Sequence, residues 1–346
     1  MRLLALSALL TVGCTTPTAG PVAPRSVQQL QGKAFGTTFS IKWLGSSPSS
    51  QEVEGPVIAA LERVDARMST WRPDSELQDV RRGDGSVVVS DETLEVVRAG
   101  LALAETTGGA FDPTVEPLME LWGFRGKARD EPPTPEEIEA ARAQVGFRKV
   151  SLGRTNDGEA FIDAGGTALD LSAIAKGHGV DALSSVLSRL GATDHFVEIG
   201  GEVRAHGSGP NGAWRVGVDR PEAGVRPGTR FAAQLALTNA SLATSGNYRN
   251  AYQAGEVRVV HTMDPRTGRP HDSVVASVSV IAPDCRTADG WATSLMVLGL
   301  DDGRALIEAQ PFVDALWLVT TSEGFEQQRS SGMADWIVAA NEPTQR

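Results

Sequence analysis

Asp289 and Thr293 stand four residues apart in Thr287-Ala288-Asp289-Gly290-Trp291-Ala292-Thr293-Ser294-Leu295-Met296. On a helix that spacing puts a carboxylate and a hydroxyl on one face. Hard oxygen donors of this kind suit Mg²⁺, which takes a carboxylate or two, keeps waters and relies on a substrate's phosphates for the rest. The same pair also reads as an Asp capping a helix start and a Thr turned to the core. A second stretch, residues 169–183 (LDLSAIAKGHGVDAL), follows an apolar approach at Phe161-Ile162 and a turn at Gly165-Gly166, then opens a helix carrying Lys176, Gly177 and Gly179. Glycines permit close approach and N–H groups at a helix start attract anions, so the stretch reads as an anion-binding junction or as a plain strand-to-helix turn with a solvated lysine. His261, one of five histidines, precedes Thr262-Met263-Asp264-Pro265-Arg266-Thr267-Gly268. A strand emptying into such a turn leaves its imidazole at a rim, where it can move protons near neutral pH or simply hydrogen-bond the turn. Thr244-Ser245-Gly246-Asn247-Tyr248 reads as a polar loop, ligand-facing or not, and Glu198-Ile199-Gly200-Gly201 as a tight bend that admits a ligand or a bulge.

The elements that must hold these groups follow from periodicity. Phe35, Thr37, Phe39, Ile41 and Trp43 alternate with smaller or polar residues, a half-buried strand over 35–43. Val53, Val57, Leu61, Val64 and Met68 recur at helical spacing and deliver Ser69-Thr70-Trp71 at the helix end, before the break at Arg72-Pro73-Asp74. Ser90 caps a helix stopped by Gly108-Gly109, and Ala110-Phe111-Asp112-Pro113-Thr114 comes directly after it. Thr134-Pro135-Glu136-Glu137 starts a helix that ends near Gly146. Asn156-Asp157-Gly158 turns a hairpin between 149–152 and 159–163. Beyond the helix that ends at Gly191 the chain is mostly strands, at 195–199, 202–205, 214–218, 231–237, 257–262 and 274–281. Two helices follow at 287–298 and 303–309, then a strand at 315–320. The fold class is α+β, with antiparallel strands favoured by the meander-like spacing.

Composition sets the outer bounds. A chain of 346 residues, 41% hydrophobic and 22% charged, has ample core for one large domain or two. Its formal net charge of −11, with no dense Lys/Arg run, argues against a nucleic-acid partner, so any phosphate it holds is held locally. MRLLALSALLTVGC is an apolar run too short to span a bilayer, ending at Gly13-Cys14, which reads as a signal peptide over 1–13 with Cys14 lipidated. Thr11 stands where leucine is usual in that motif. Residues 14–30 read as a flexible tether. A disulfide between Cys14 and Cys285 is the weaker reading, because a tether cysteine is a poor staple.

Taken together, these stretches resemble the ApbE family of FAD:protein FMN transferases. The matching residues are Ser69-Thr70-Trp71, Gly109 to Pro113, Asp170 to Gly177, Gly200-Gly201, Thr244 to Tyr248, His261 to Gly268 and Ala288 to Thr293, in the family's order, within residues 32–320. The resemblance implies an ApbE-like, T-fold-like domain over 31–346, built of two intertwined α+β subdomains with largely antiparallel strands and flanking helices. It implies Mg²⁺-dependent transfer of the FMN half of FAD to a Thr or Ser hydroxyl of a target flavoprotein, with release of AMP. Membrane redox-pump subunits are candidate acceptors, and the setting is the periplasmic side of a bacterial membrane, reached through a lipid anchor. By position it makes Asp289, Thr293 and the Ala173 carbonyl metal ligands. Phe35, Trp71, Ala110, Phe111, Asp112, Asp170, Lys176 and Met263 would line the FAD site, and His261 would assist deprotonation of the acceptor hydroxyl. Phe35 and Trp71 depart from the Met and Tyr common in the family, and both keep a bulky or stacking group. Two alternatives stay open: an FAD pyrophosphatase in which water replaces the hydroxyl, and a lipoprotein that binds FAD without chemistry.

Overall fold

The computed structural model describes residues 26–338 apart from 223, 227, 249 and 250. Cys14, the signal peptide and the tether up to residue 25 lie outside the described residues. The tether expectation ends sooner than 30, because Val27–Ala34 is a strand paired along its whole length with Thr37–Leu44. Its glutamine-rich outer face hides it from a hydrophobicity pattern, and main-chain pairing supplies what the side chains lack.

That hairpin opens an eight-stranded sheet whose spatial order follows the chain: Val27–Ala34, Thr37–Leu44, His195–Ile199, Glu202–His206, Ala240–Gly246, Val275–Ala282, Asp314–Thr321 and Gly324–Arg329. All seven pairings are antiparallel. Alternation decides which residues face which layer. Phe39, Ile41 and Trp43 turn toward the helices Ser50–Met68 and Ala175–Arg189, where Val53, Val57, Leu61, Val180, Leu183 and Leu187 complete a dry cluster. Val278, Val280 and Trp317 meet Trp291, Leu295 and Met296 of the Cys285–Ile307 helix on the same face. Leu242, Ile281, Leu316 and Leu318 point the other way, under the hairpin Trp214–Asp219 and Phe231–Leu237. The long excursion between the second and third sheet strands folds around its own cluster, which includes Leu77, Leu94, Val97, Phe111, Ile162 and Leu171.

Several expectations are corrected. Phe35 is not the first residue of a strand but the first residue of a two-residue turn, at φ +50°, with Gly36 at φ +75°. A left-handed phenylalanine is strained, and its ring is seated so closely on Gly179 that a Cβ there would lie 2.5 Å from Phe35 Cε2. Thr244–Gly246 is the end of the Ala240–Gly246 strand rather than a loop. The two helices expected at 287–298 and 303–309 are present: Cys285–Ile307 is interrupted at Gly299, whose φ 77°, ψ −165° is not helical. The helix after Gly165-Gly166 begins only at Ala175, so residues 170–174 form a turn in front of it. The strand expected over 257–262 stops at Val260. Both capping expectations hold: Ser90 accepts from Thr93 N, and Thr134 and Glu137 close a capping box.

His195, fully buried on the sheet, shows the pH sensitivity such a core carries. Its Nδ1 donates to the Ala192 carbonyl at 2.9 Å, which leaves Nε2 to accept from Ser184 Oγ at 2.7 Å, and its ring stacks on His206. Burial, helped by the nearby His206 and Arg204, drives its pKa down from 6.5 to about 4. Between those two values the unfolded chain binds a proton that the folded chain refuses, so stability falls as pH drops through this window. Denaturant midpoints measured from pH 7 downward should therefore decline less steeply in His195→Gln, by about one proton. Parallel slopes for the two proteins would refute the assignment.

Candidate active site

The start of the Ala175–Arg189 helix and the first turns of the Cys285–Ile307 helix meet edge to edge, and the site grows from that contact. Asp181 accepts from the N–H groups of Cys285 (3.0 Å) and Arg286 (2.9 Å), while Asp284 caps its own helix through Thr287. One turn further on, buried Asp289 faces back across the junction. Its Oδ2 accepts from Gly177 N at 2.9 Å, one of the N–H groups that the first helical turn leaves without an intrahelical partner. The anion at this helix start is thus a carboxylate of the protein itself, and the helix dipole favours its charge.

Lys176 lies beside it, with Nζ 3.5 Å from Asp289 Oδ1 and 3.3 Å from Glu202 Oε1. Burial works against the lysine's charge, but Asp289 and Glu202 outweigh it and hold its pKa above the ordinary value. Glu202, buried at the start of its strand, is pushed the other way: desolvation and the Asp289 charge raise its carboxyl against the pull of Lys176. Its Oε2 is buried with no hydrogen-bond partner. Gly200 and Gly201, both at positive φ, make the two-residue turn that brings Glu202 under Lys176, which settles the bend at 198–201 as a hairpin and not a bulge. Thr293 shares its hydroxyl with Ser245 Oγ at 3.3 Å, so the strand once read as a loop supplies a partner to the helix.

These groups line a cavity of about 440 Å³. Asp170, Ala173, Lys176, Glu202, Asp289 and Thr293 all line it. Ala110, Phe111, Asp112, His261 and Met263 line it too. Phe35 and Trp71 are not in it; they line a neighbouring cavity of about 730 Å³ that shares Ser172 and Lys176 with the first. Two carboxylates in the expected set are already engaged by the protein. Asp112 accepts from Thr114 N, Thr114 Oγ1 and Phe147 N, with burial raising its pKa. Asp170 accepts from Ser172 N at 2.8 Å and from Arg125. Both therefore shape the main chain around the cavity.

The donor set fits a hard divalent cation. Asp289, with its carboxylate held by Gly177 N, and Thr293 bring a carboxylate and a hydroxyl to one cavity that Ala173 also lines, a set of oxygen donors. Among the described residues no cluster of three or more His, Cys, Asp or Glu side chains is placed to hold a metal, so a closed site of the zinc kind is not built here. Sequence reasoning missed Glu202 and Arg125. The Gly200-Gly201 turn marked the position next to Glu202, but nothing local announced that its carboxylate would be buried, and Arg125 carried no signal at all.

Residues 35–317 match the family model described as the ApbE family. The chain is 37% identical over 342 residues to a Vibrio cholerae protein called FAD:protein FMN transferase, covering 97% of this chain and 98% of that one. Among solved structures, the flavin transferase ApbE from Vibrio cholerae superposes with a TM-score of 0.80 at 37% identity, covering 90% of this chain and 100% of that chain. The apo form of the Pseudomonas stutzeri flavinyl transferase ApbE gives 0.80 at 33% identity, covering 91% and 98%.

Proposed function

This chain belongs to the ApbE family, and from that premise we propose that it is an FAD:protein FMN transferase, moving FMN from FAD to a Thr or Ser hydroxyl of a target flavoprotein and releasing AMP. The observation that carries the reading is the convergence of Asp289, Thr293, Ala173, Lys176 and His261 on one cavity, with an aromatic cavity next door. Such a pair of spaces suits a ligand with a pyrophosphate at its centre and a flat ring at one end. Mg²⁺ held by Asp289, Thr293 and the Ala173 carbonyl would neutralise pyrophosphate charge and make the phosphorus a better electrophile.

The chain's own groups account for the rest. Lys176, fixed by two carboxylates, presents a positive charge where a dianionic pyrophosphate has to sit, in a protein that is acidic overall. His261 lines the same cavity, and its imidazole is the group we assign to take the proton from an acceptor hydroxyl. The hydroxyl oxygen then bonds to the FMN-side phosphorus, the bridging P–O bond breaks and AMP departs with the electron pair. Phe35 and Trp71 offer aromatic faces to a ring system. Lipid anchoring through Cys14 on the periplasmic side belongs to the same proposal, supported by the sequence alone; among the described residues no helix is long and apolar enough to cross a membrane.

Purified protein incubated with FAD, Mg²⁺ and an acceptor flavoprotein should leave covalent, fluorescent flavin on the acceptor and an equal amount of AMP in solution. His261→Ala should slow that labelling about 10²–10⁴-fold while FAD binding persists. Free FMN and AMP appearing without any acceptor would establish a pyrophosphatase instead. FAD retained intact in Mg²⁺ would establish a binder.

A further inference from the structure

Arg125 is a partly buried cation beside the site that the chemistry above leaves without a role. It follows the Glu116–Leu121 helix, and its side chain is only 12% exposed between two carboxylates that are each 3% exposed, Glu116 and Asp170. Nε donates to Glu116 Oε2 at 2.8 Å, and the NH2 group donates to Asp170 Oδ2 and, at 3.3 Å, to Ser172 Oγ. The guanidinium carbon lies 5.5 Å from the centre of the Trp71 ring, which is itself 72% exposed. One planar group therefore touches both a plate of the aromatic cavity and the turn that carries Ala173 to Lys176 in the other.

We infer that Arg125 is a positioning residue that clamps Trp71 to the 170–174 turn, so that the ring-binding and pyrophosphate-binding halves of the site form one preorganised cradle; this rests on the FAD reading above. Arg125 is committed to the protein's own network, with Nε bonded to Glu116 and one NH2 group to Asp170 and Ser172. What remains is its flat face beneath Trp71. An exposed tryptophan on a loop loses rotamer freedom when a ligand stacks on it, and a cation fixed under the ring removes much of that loss beforehand. Only the arginine fork can bond two carboxylates in its plane and stack on a ring at once; a lysine supplies the charge without the plate. Ser172 ties the two ends together, because its N–H donates to Asp170 Oδ1 while its hydroxyl accepts from Arg125.

The test is a double-mutant cycle on FAD affinity, read by flavin fluorescence in Mg²⁺ without acceptor, for the wild type, Trp71→Ala, Arg125→Lys and the pair. Each single change should weaken binding about tenfold and the pair scarcely more, because either one dismantles the same clamp. In Arg125→Lys the KM for FAD should rise accordingly, with kcat at saturating FAD close to that of the wild type. Losses that multiply to about a hundredfold would overturn the inference, since independent sites add in free energy. Hydrogen exchange supplies the second arm, independent of FAD and of any folding defect in Arg125→Lys. In Trp71→Ala, whose ring is largely exposed, the Ser172 amide should exchange several times faster than in the wild type, with the Pro135–Arg142 helix unaffected. Unchanged exchange at Ser172 would sink the clamp even if FAD binds, whereas a wild type that fails to bind FAD would sink the functional reading and leave the clamp to be judged by exchange alone.

Discussion

Asp289→Ala should reduce flavin transfer by at least about 10³-fold and abolish saturable Mg²⁺ binding, because one carboxylate serves three neighbours at once. It is the only carboxylate in the assigned ligand set, it receives Gly177 N at 2.9 Å, and it shares Lys176 with Glu202. Removing it leaves a buried helix N–H without its acceptor, a lysine drawn toward Glu202 alone, and an assigned ligand set with a hydroxyl and a carbonyl but no carboxylate. Asp289→Asn separates these effects. The amide oxygen can still accept from Gly177, so the melting temperature should stay near that of the wild type while Mg²⁺ affinity and transfer both collapse. Single-turnover labelling and a Mg²⁺ titration by calorimetry would check this. Transfer at the wild-type rate in the Asn variant would remove Asp289 from the chemistry.

Gly177→Ala should be the most damaging small substitution for folding near the site. A Cβ there would lie 2.3 Å from the Cys285 carbonyl oxygen, 2.6 Å from its carbon and 2.8 Å from Arg286 Cα. All three atoms are main chain, so no side chain can swing aside, and Asp181 pins that same turn through two N–H groups. Alanine would gain up to about 1 kcal/mol of helix propensity over glycine. The forced separation of two packed helices should cost about 3 kcal/mol, so the steric term wins and the net loss is about 2 kcal/mol. Urea denaturation measures it directly, and a variant more stable than the wild type would mean that the helices are not packed this closely. Because Gly177 N also orients Asp289, the surviving folded fraction should bind Mg²⁺ poorly as well.

What the sequence made legible was whatever depends on neighbours in the chain. The capping residues Ser90, Thr134 and Glu137 act within one turn, and the alternation from Thr37 to Trp43 is a property of one strand, so both were readable. The site stretches were readable because glycines, Asp289, Thr293 and His261 sit in short ordered motifs. Ala240–Gly246 was misread because its last residues are small and polar. Thr244 and Ser245 bond to Ser279 and Thr293, partners 35 and 48 residues away, so nothing nearby in sequence gives a reason for them to be strand. Arg125 and Glu202 were invisible for the same cause: their meaning lies in Asp170, Trp71 and Lys176, which only the fold brings near. Phe35 was taken for strand because aromatic residues belong there, and its left-handed turn conformation is an exception held in place by its seat on Gly179.

The order of the sheet also bears on when the enzyme comes into being. Thr37–Leu44 pairs with His195–Ile199, and Asp289 and Thr293 arrive only after the Val275–Ala282 strand. A nascent or clipped chain that ends before residue 289 carries Phe35, Trp71 and Lys176 but lacks both Asp289 and Thr293. Such a fragment would be silent toward pyrophosphate bonds, and flavin turnover would begin in a single step on completion of the chain.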